Sequence, residues 1–213
     1  MNAISTFTED KLVALACIAA ELHSVMGVAW GVSLAAKNAK IISVQAGDKG
    51  RGFQPITEFI DEISQQAMKG VDEINSAAIH LSKISVYGQR SVNAYNRFAS
   101  VKEKNRDAKH ISSLTPAMKR VEKTMLGSAK EFKHSLRHLY QLLESMDECM
   151  LSARSIASVS RIVTSDSGEF RDKLKVVADE LDNAATYIKE KLSDSYEHLS
   201  NINVTNRKQV YSL

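Results

Sequence analysis

The spacing of apolar residues over long uninterrupted stretches constrains this chain more than any other feature. In the first stretch the spacing alternates between three and four residues for more than four heptads. Its members are Leu15, Ile18, Leu22, Val25, Ala29, Val32, Ala36, Ala39, Ser43 and Ala46. This alternation places all of them on one face of an α-helix. The side chains become smaller towards residue 47, which predicts that the helices lie closest together at that end.

Three further stretches have the same periodicity. The second stretch begins after Pro55, and the fourth runs from Phe170 to Leu199. The third is expected to begin with Thr115 as the N-cap and Pro116 as the first helical residue. In the third stretch the spacing selects Leu142, Cys149 and Ile156, among others, for the buried seam. The connections are short, so neighbouring helices should be antiparallel.

These stretches predict an all-α fold, an elongated antiparallel four-helix bundle or coiled coil with a helical-hairpin tip. The predicted organisation is a first hairpin over residues 8–105, a second hairpin over 112–203 that packs against it in a single bundle, and a frayed tail over 204–213. Only nine glycines and two prolines occur among 213 residues, and aromatic residues make up 6%. This composition suits narrow seams between helices.

The net charge, the spacing of the cysteines and the length of the apolar runs argue against several classes of protein. The net charge of +3 is too small to imply a polyanionic partner for the chain as a whole. Cys17 and Cys149 form no CxxC motif, which favours buried reduced thiols in a cytoplasmic protein. No apolar stretch approaches the roughly 20 residues that cross a bilayer, so no transmembrane segment is expected. The run 12–20 resembles a signal-peptide core, but its acidic leader and the helical pattern through Glu21 favour a helix.

The helical pattern is interrupted most clearly at "VQAGDKGRGFQPI", residues 44–56, where Gly47, Gly50 and Gly52 lie close together. A phosphate-binding glycine loop would have to follow a β-strand, whereas this motif follows a helix. A flexible linker is disfavoured because the heptads continue up to both sides of the glycines. The remaining interpretation is the tight turn of a helical hairpin, since glycine adopts the required backbone conformations at little cost.

The segment "NAKIISVQAGDKGRGF" resembles the hairpin tip of the cytoplasmic signalling domain of methyl-accepting chemotaxis receptors. The matching residues are Asn38, Ala39, Ile41, Ala46, Gly47, Gly50, Arg51, Gly52 and Phe53, with Asp48 in place of the glutamate of the family. The resemblance covers about residues 15–100. The sequence departs from the family at Lys40, Ile42 and Gln45, which removes one acidic and one basic residue of the tip.

The resemblance implies a non-enzymatic chemotaxis-type signalling or scaffold protein. Its partners would be the chemotaxis histidine kinase and its coupling protein, or other receptor-like bundles, and it would need no cofactor or metal. The implied contact residues are Trp30, Leu34, Asn38, Asp48, Arg51 and Phe53. Asp48 and Arg51 are also expected to pair across the turn, and Phe53 to fill the seam. The simpler interpretation is that the turn residues only build a tight reversal and that Trp30 is core packing.

The family builds its tip from two identical hairpins, whereas this chain supplies four helices. We therefore expect either a monomer in which the third and fourth helices replace the second protomer, or a homo-oligomer. In the monomer, "SDSGEF" would be the degenerate counterpart of "GDKGRGF". The expected location is cytoplasmic, near membrane-proximal receptor arrays.

Two other interpretations remain. Residues 101–140 contain ten Lys or Arg against four acidic residues, so the chain could be a divergent adaptor or decoy that does not bind the kinase and whose basic end contacts anionic membrane or nucleic acid. A solvated helix face explains the same charges, and no nucleic acid is expected. His134 and His138 have the one-turn spacing of a metal-binding pair, but the sequence supplies no third ligand, so a solvated pair is expected.

Overall fold

The computed structural model describes residues 9–165 and 168–208 and contains four long helices. These are α1 (Glu9–Gln45), α2 (Gln54–Lys104), α3 (Leu114–Thr164) and α4 (Arg171–Lys208). Short 3₁₀ turns at Gly47–Lys49, Arg51–Phe53, Ile111–Ser113 and Gly168–Phe170 lie in the connections. The described residues contain no β-strand, and the predicted all-α helical bundle with hairpins is confirmed.

The predicted helix ends are accurate to within a few residues. Pro55 lies in the first turn of α2, where its missing N–H costs no helical hydrogen bond. Thr115 is not an N-cap, because α3 already begins at Leu114. Residues 204–208 of the predicted frayed tail are assigned to α4. The rest of that tail, 209–213, lies outside the described residues.

The helices contribute to two compact units that cut across both hairpins. The tip unit consists of Ile18–Asn75 and Tyr140–Tyr196. The loop unit takes its described residues from 9–17, 76–139 and 197–208. Each unit therefore contains segments of all four helices.

In the tip unit, side-chain contacts connect each helix to the next. Helices α1 and α2 are antiparallel. Lys40 pairs with Glu58, whereas Ser33, earlier in α1, donates a hydrogen bond to Asp61, later in α2. Helices α3 and α4 are antiparallel in the same way, as the ion pairs Arg161–Asp179 and Asp147–Lys189 show. The ion pair Glu21–Lys191 connects α4 to α1. The sulfhydryl of Cys149 lies 3.9 Å from the carbonyl oxygen of Ile63, which connects α3 to α2. The tip unit is thus a ring of four helices with antiparallel neighbours.

The two hairpins of the tip unit repeat one another with a constant offset of 121 positions and no gap. Gly47 and its counterpart Gly168 both have φ of +57°. Buried positions coincide in the pairs Leu22/Leu143, Val25/Met146, Ala29/Met150, Ala36/Ala157, Phe53/Leu174, Ile60/Leu181, Ala67/Ile188 and Val71/Leu192. The counterpart of "GDKGRGF" is therefore "GEFRDKL", residues 168–174, and not "SDSGEF". The residues before Gly168 in that segment, 166–167, lie outside the described residues.

The predicted seam of α1 is buried from Leu15 to Ser43, but that of α3 is shifted in part. Ala46, the last residue predicted for the first seam, is only half-buried and follows the end of α1. The structure buries Leu143, Met150 and Ala157 where the spacing selected their preceding neighbours Leu142, Cys149 and Ile156, which are only half-buried. Apolar residues stand side by side at each of these three positions, so periodicity does not distinguish them. The core packs the residues that are equivalent to Leu22, Ala29 and Ala36 of α1.

The loop unit buries a charged residue. The side chain of Lys11 is fully buried, and its ammonium nitrogen lies 6.0 Å from the centroid of the Phe132 ring. These two residues are also related by the 121-position offset. Burial removes water from the ammonium group and lowers the pKa of Lys11 to about 8. In contrast, residues 101–110 are exposed without exception.

Helix α1 is more apolar than the sequence interpretation allowed. Over Lys11–Gln45 it is long and apolar enough to cross a membrane by length and composition. The prediction that no apolar stretch approaches the length of a membrane-spanning helix is therefore wrong. Core helices of soluble proteins and signal sequences meet the same criterion, and Leu15, Ile18 and Leu22 of this helix are buried in the described structure.

Candidate protein-contact site at the first hairpin

The connection between α1 and α2 reverses the chain in eight residues, 46–53, through two successive 3₁₀ turns. Gly47 has φ of +57°, a left-handed conformation that costs other residues about 1 kcal/mol or more. At Gly50 the constraint is space: a Cβ atom there would lie 2.2 Å from the carbonyl oxygen of Ser43. The amide N–H groups of Gly50 and Phe53 donate to the carbonyl oxygens of Gly47 and Gly50. The predicted sharp reversal at the glycines is therefore present.

The charged residues of the turn face solvent. The side chains of Asp48 and Arg51 are almost fully exposed, and their closest charged atoms, Oδ1 and Nη1, are 3.9 Å apart. The expected pairing across the turn is present but is at the outer limit of an ion pair. Such exposed pairs contribute at most about 1 kcal/mol to stability, so both side chains are accessible to a partner.

Phe53 differs from the other five residues implied as contacts. Its side chain is 0% exposed, as is that of its counterpart Leu174. It fills the seam below the turn, as the sequence also indicated, and presents no surface to a partner. The predicted contact role of Phe53 is therefore wrong, because a fully buried ring cannot touch another protein without opening the hairpin.

An apolar stripe lies on the outer face of α1. Trp30 is 61% exposed, Leu34 is 45% exposed and Ile41 is 58% exposed. Their spacings of four and seven residues place them on one side of the helix. Asn38, between Leu34 and Ile41, is also exposed. Of the two interpretations of Trp30, core packing is excluded for the described structure, and the residue lies on the surface.

Polar contacts fix the position of this stripe relative to α2. Lys40 Nζ lies 2.9 Å from Glu58 Oε1, and Lys37 Nζ lies 3.9 Å from Asp61 Oδ1. The hydroxyl of Ser33 donates to the same Asp61 carboxylate. Because these pairs lie beside the stripe, the apolar side chains are held on a helix whose rotation is constrained.

Sequence reasoning missed Ile41 as a surface residue of this site. The sequence motif identifies it only as a match to the family tip. Its position seven residues after Leu34 is two helical turns further along the same face. That spacing would have identified it once Trp30 and Leu34 were assigned to the surface.

The other residues considered for chemistry are not part of the turn at 46–53. His134 and His138 are exposed, and His80 Nε2 lies 3.5 Å from Glu131 Oε1. The described ranges contain no group of three or more His, Cys, Asp or Glu side chains arranged to hold a metal ion. Cys17 and Cys149 are free thiols that are half-buried, not fully buried as predicted. Desolvation raises the pKa of Cys149 above its usual value.

Comparison with known proteins gives no relative: no family model matches the chain, and no curated protein or solved structure matches it.

Proposed function

We propose that this protein is a non-enzymatic, cytoplasmic signalling or scaffold protein of the chemotaxis type that acts by protein–protein contact at the first hairpin. The observation that carries the proposal is the exposed stripe of Trp30, Leu34 and Ile41 next to the glycine turn. Exposed tryptophan is strongly enriched among residues that dominate binding energy at interfaces. The chemotaxis histidine kinase and its coupling protein, or receptor-like helical bundles, are the proposed partners because of the sequence motif around the turn.

The core near the turn supports a signalling mechanism based on helix packing. Both hairpins bury small residues there, Ala36, Ala39 and Ser43 in α1 and Ala157, Ser160 and Thr164 in α3. Small side chains interlock less deeply than leucine, so two packing arrangements can lie close in free energy. In the proposed mechanism a partner that binds one arrangement more tightly shifts the population towards it.

The repeated register supports a monomer that does the work of a dimer. The second hairpin buries the counterparts of the first, so one chain of 23.5 kDa supplies a complete four-helix tip unit. We propose that α3 and α4 take the place of the second hairpin that the receptor family obtains from another protomer. Light scattering on the purified chain should give the mass of one chain, and the mass of a dimer would contradict the monomer proposal.

The docking proposal is tested by pull-down of the purified kinase and coupling protein with wild type, Trp30→Ala, Arg51→Glu and Leu151→Ala. Leu151 is the counterpart of Trp30 in the second hairpin and is also exposed, so it is a matched control for loss of apolar surface. Trp30→Ala should weaken binding by about tenfold or more, as expected for an interface hot spot, and Arg51→Glu should weaken it by reversing a charge at the turn. Leu151→Ala should bind as wild type. Absence of binding by wild type, or equal effects of all three changes, would refute the proposal.

A second candidate is an adaptor that does not bind the kinase and whose basic end contacts anionic membrane. The observation in its favour is that every residue from 101 to 110 is exposed, including Lys102, Lys104 and Arg106. Each such residue near an anionic bilayer contributes about 1 kcal/mol of attraction. Binding to phosphatidylserine vesicles that falls with salt and is lost on neutralising these three residues would support it. Equal binding to neutral vesicles would exclude it.

A further inference from the structure

The internal repeat makes two side grooves of the tip unit directly comparable, and only one of them is filled. In the groove between α4 and α1, two side chains of α4 reach across to α1. The hydroxyl of Tyr187 donates a hydrogen bond to Ser24 Oγ at 2.8 Å. The ammonium of Lys191 donates to Glu21 Oε2 at 2.7 Å and lies 5.9 Å from the centroid of the Tyr187 ring. Together they bridge the groove from α4 to α1, which is the sense in which it is filled.

The equivalent groove between α2 and α3 lacks both of these side chains. Subtracting the 121-position offset, Gln66 stands where α4 has Tyr187, and Gly70 stands where it has Lys191. On the opposite wall Leu142 is the counterpart of Glu21. The result is an open groove of about 390 Å³. This volume lies in the range of roughly 300–1,000 Å³ that is typical of ligand sites.

The groove keeps much of the polar chemistry of its filled counterpart. Ser145 is the counterpart of Ser24, which accepts the tyrosine hydroxyl on the other side. Glu73 is the counterpart of Asp194, whose carboxylate lies 3.5 Å from Lys191 Nζ. Glu148 adds a second carboxylate, and Lys69 Nζ lies 3.6 Å from Glu73 Oε1. The lining therefore carries two negative charges and one positive charge.

The floor of the groove is apolar. It is formed by Gly70, Leu142 and Met146, and a Cβ atom added at Gly70 would lie 2.5 Å from the terminal methyl of Met146. A lysine side chain suits such a site because its methylene stem packs on apolar surface while its ammonium group stays at the polar edge. An aromatic residue one helical turn away would place its ring beside that stem, as Tyr187 does for Lys191.

We infer that the α2–α3 groove is a docking site for a helix of a partner protein that inserts a lysine with an aromatic residue one turn before it. The partner would supply the side-chain chemistry that α4 supplies to the other groove. Lysine would pair with Glu73 and Glu148, and the aromatic hydroxyl would reach Ser145. This site does not depend on the contacts proposed for the Trp30 stripe, so Trp30→Ala should leave it intact.

Cys149 lines the groove and provides a direct measurement. In a Cys17→Ser background, the rate of Cys149 alkylation by iodoacetamide is followed by mass spectrometry. The probe is a short alanine-based helical peptide with tyrosine and lysine four residues apart, and its matched control has norleucine in place of lysine. The probe should slow alkylation in a saturable way. The control should need about tenfold higher concentration, the loss expected for a hydrogen bond between charged groups.

Two variants test the location. Gly70→Lys should fill the groove from within and abolish protection by the peptide, while circular dichroism and the melting temperature establish that it is folded. Glu73→Gln keeps the shape of the groove and should weaken the lysine peptide by about tenfold while leaving the norleucine peptide unchanged. Unchanged alkylation at millimolar peptide, equal protection by both peptides, or equal affinity for wild type and Glu73→Gln would each overturn the inference.

Discussion

The two hairpins of the tip unit bury the same positions but present different surfaces. The first hairpin turns on Gly47, Gly50 and Gly52, whereas the counterparts of the last two in the second hairpin are Arg171 and Lys173. Both turns need a left-handed glycine at the same place, Gly47 and Gly168. The shared features are those that a helical reversal over a common core requires. The difference at Gly50 belongs to the turn itself, because Gly50 is buried in the first hairpin whereas its counterpart Arg171 is exposed.

The ion pairs between the helices of each hairpin differ in the same way. In the second hairpin Arg161 donates from Nε to Asp179 at 2.9 Å and from Nη2 to Asp182 at 2.8 Å. These hydrogen bonds raise the pKa of Arg161 above its usual value. At the counterpart of Arg161 the first hairpin has Lys40, which is paired with Glu58. We interpret the second hairpin as the more firmly fastened of the two.

The largest expected change in stability comes from core residues, and it tests whether the two hairpins are packed alike. Leu22 and Leu143 are counterparts, and both are 0% exposed. Leu22→Ala and Leu143→Ala should each lower the free energy of unfolding by about 2–5 kcal/mol, because each removes buried methyl groups and leaves a cavity. Urea denaturation measures both. Values that differ by more than about 2 kcal/mol would show that the two seams are not packed alike, since this exceeds the usual uncertainty of extrapolation. The control Leu151→Ala, on the surface, should stay within about 0.5 kcal/mol of wild type.

The next effect concerns Lys11, the charged counterpart of Phe132. Its pKa in the folded chain is about 8, below its ordinary value of 10.5, so the folded state binds fewer protons between these two pH values. Stability should therefore rise as pH increases from 8 to 10.5, and the full cost of burying the charge applies below pH 8. That cost is at most about 3.5 kcal/mol, since each pKa unit corresponds to about 1.4 kcal/mol.

Lys11→Met should therefore stabilise the protein at pH 7 and remove this part of the pH dependence. The measurement is the difference in unfolding free energy between variant and wild type at several pH values, which cancels the titration of other groups. A difference that does not change from pH 7 to pH 10.5 would contradict the assigned pKa.

A smaller effect tests the turns. Gly47→Ala and Gly168→Ala should each cost about 1 kcal/mol, because alanine is strained at positive φ. The melting temperatures of both variants should fall by similar amounts. A loss confined to one of them would show that the two turns do not share the left-handed conformation.

The smallest effect compares the two ion-pair positions. Lys40→Met should change the unfolding free energy by less than about 1 kcal/mol, as is usual for exposed pairs. Arg161→Met should cost somewhat more, since it leaves two carboxylates without their shared guanidinium, although the side chain is partly exposed to solvent. If the two variants changed the unfolding free energy equally, both at low and at high salt, the interpretation that the second hairpin is the more firmly fastened would be wrong.

Helix number, the hairpin turn at the glycines and the α1 seam were predicted from sequence because each depends on local chemistry. Periodicity identified the buried face of α1 because the alternating spacing of three and four residues continues there for more than four heptads, although other apolar residues stand beside it. It was ambiguous in α3, where Leu142 is followed by Leu143 and Cys149 by Met150. Which of two adjacent apolar residues is buried depends on the helices packed against them.

The exposure of the proposed contact residues was predicted only in part. Asp48 and Arg51 were assigned to the surface correctly because charged residues in a turn are solvated. The position of Trp30 was left open, since an aromatic residue beside a seam suits either the core or a surface. Phe53 was misassigned because its place in the turn motif gave no information on its burial, which results from packing beneath the reversal.

The sequence by itself determined that the described part of this chain forms four long helices and reverses sharply at Gly47, because helix periodicity and left-handed backbone are properties of local residues. Only the tertiary structure decided that the second hairpin repeats the first at a fixed offset, that Trp30 faces solvent, and that one side groove is filled by Tyr187 and Lys191 while its counterpart is open. The physical reason is that burial and groove filling depend on side chains contributed by helices far apart in sequence. No local pattern specifies those partners.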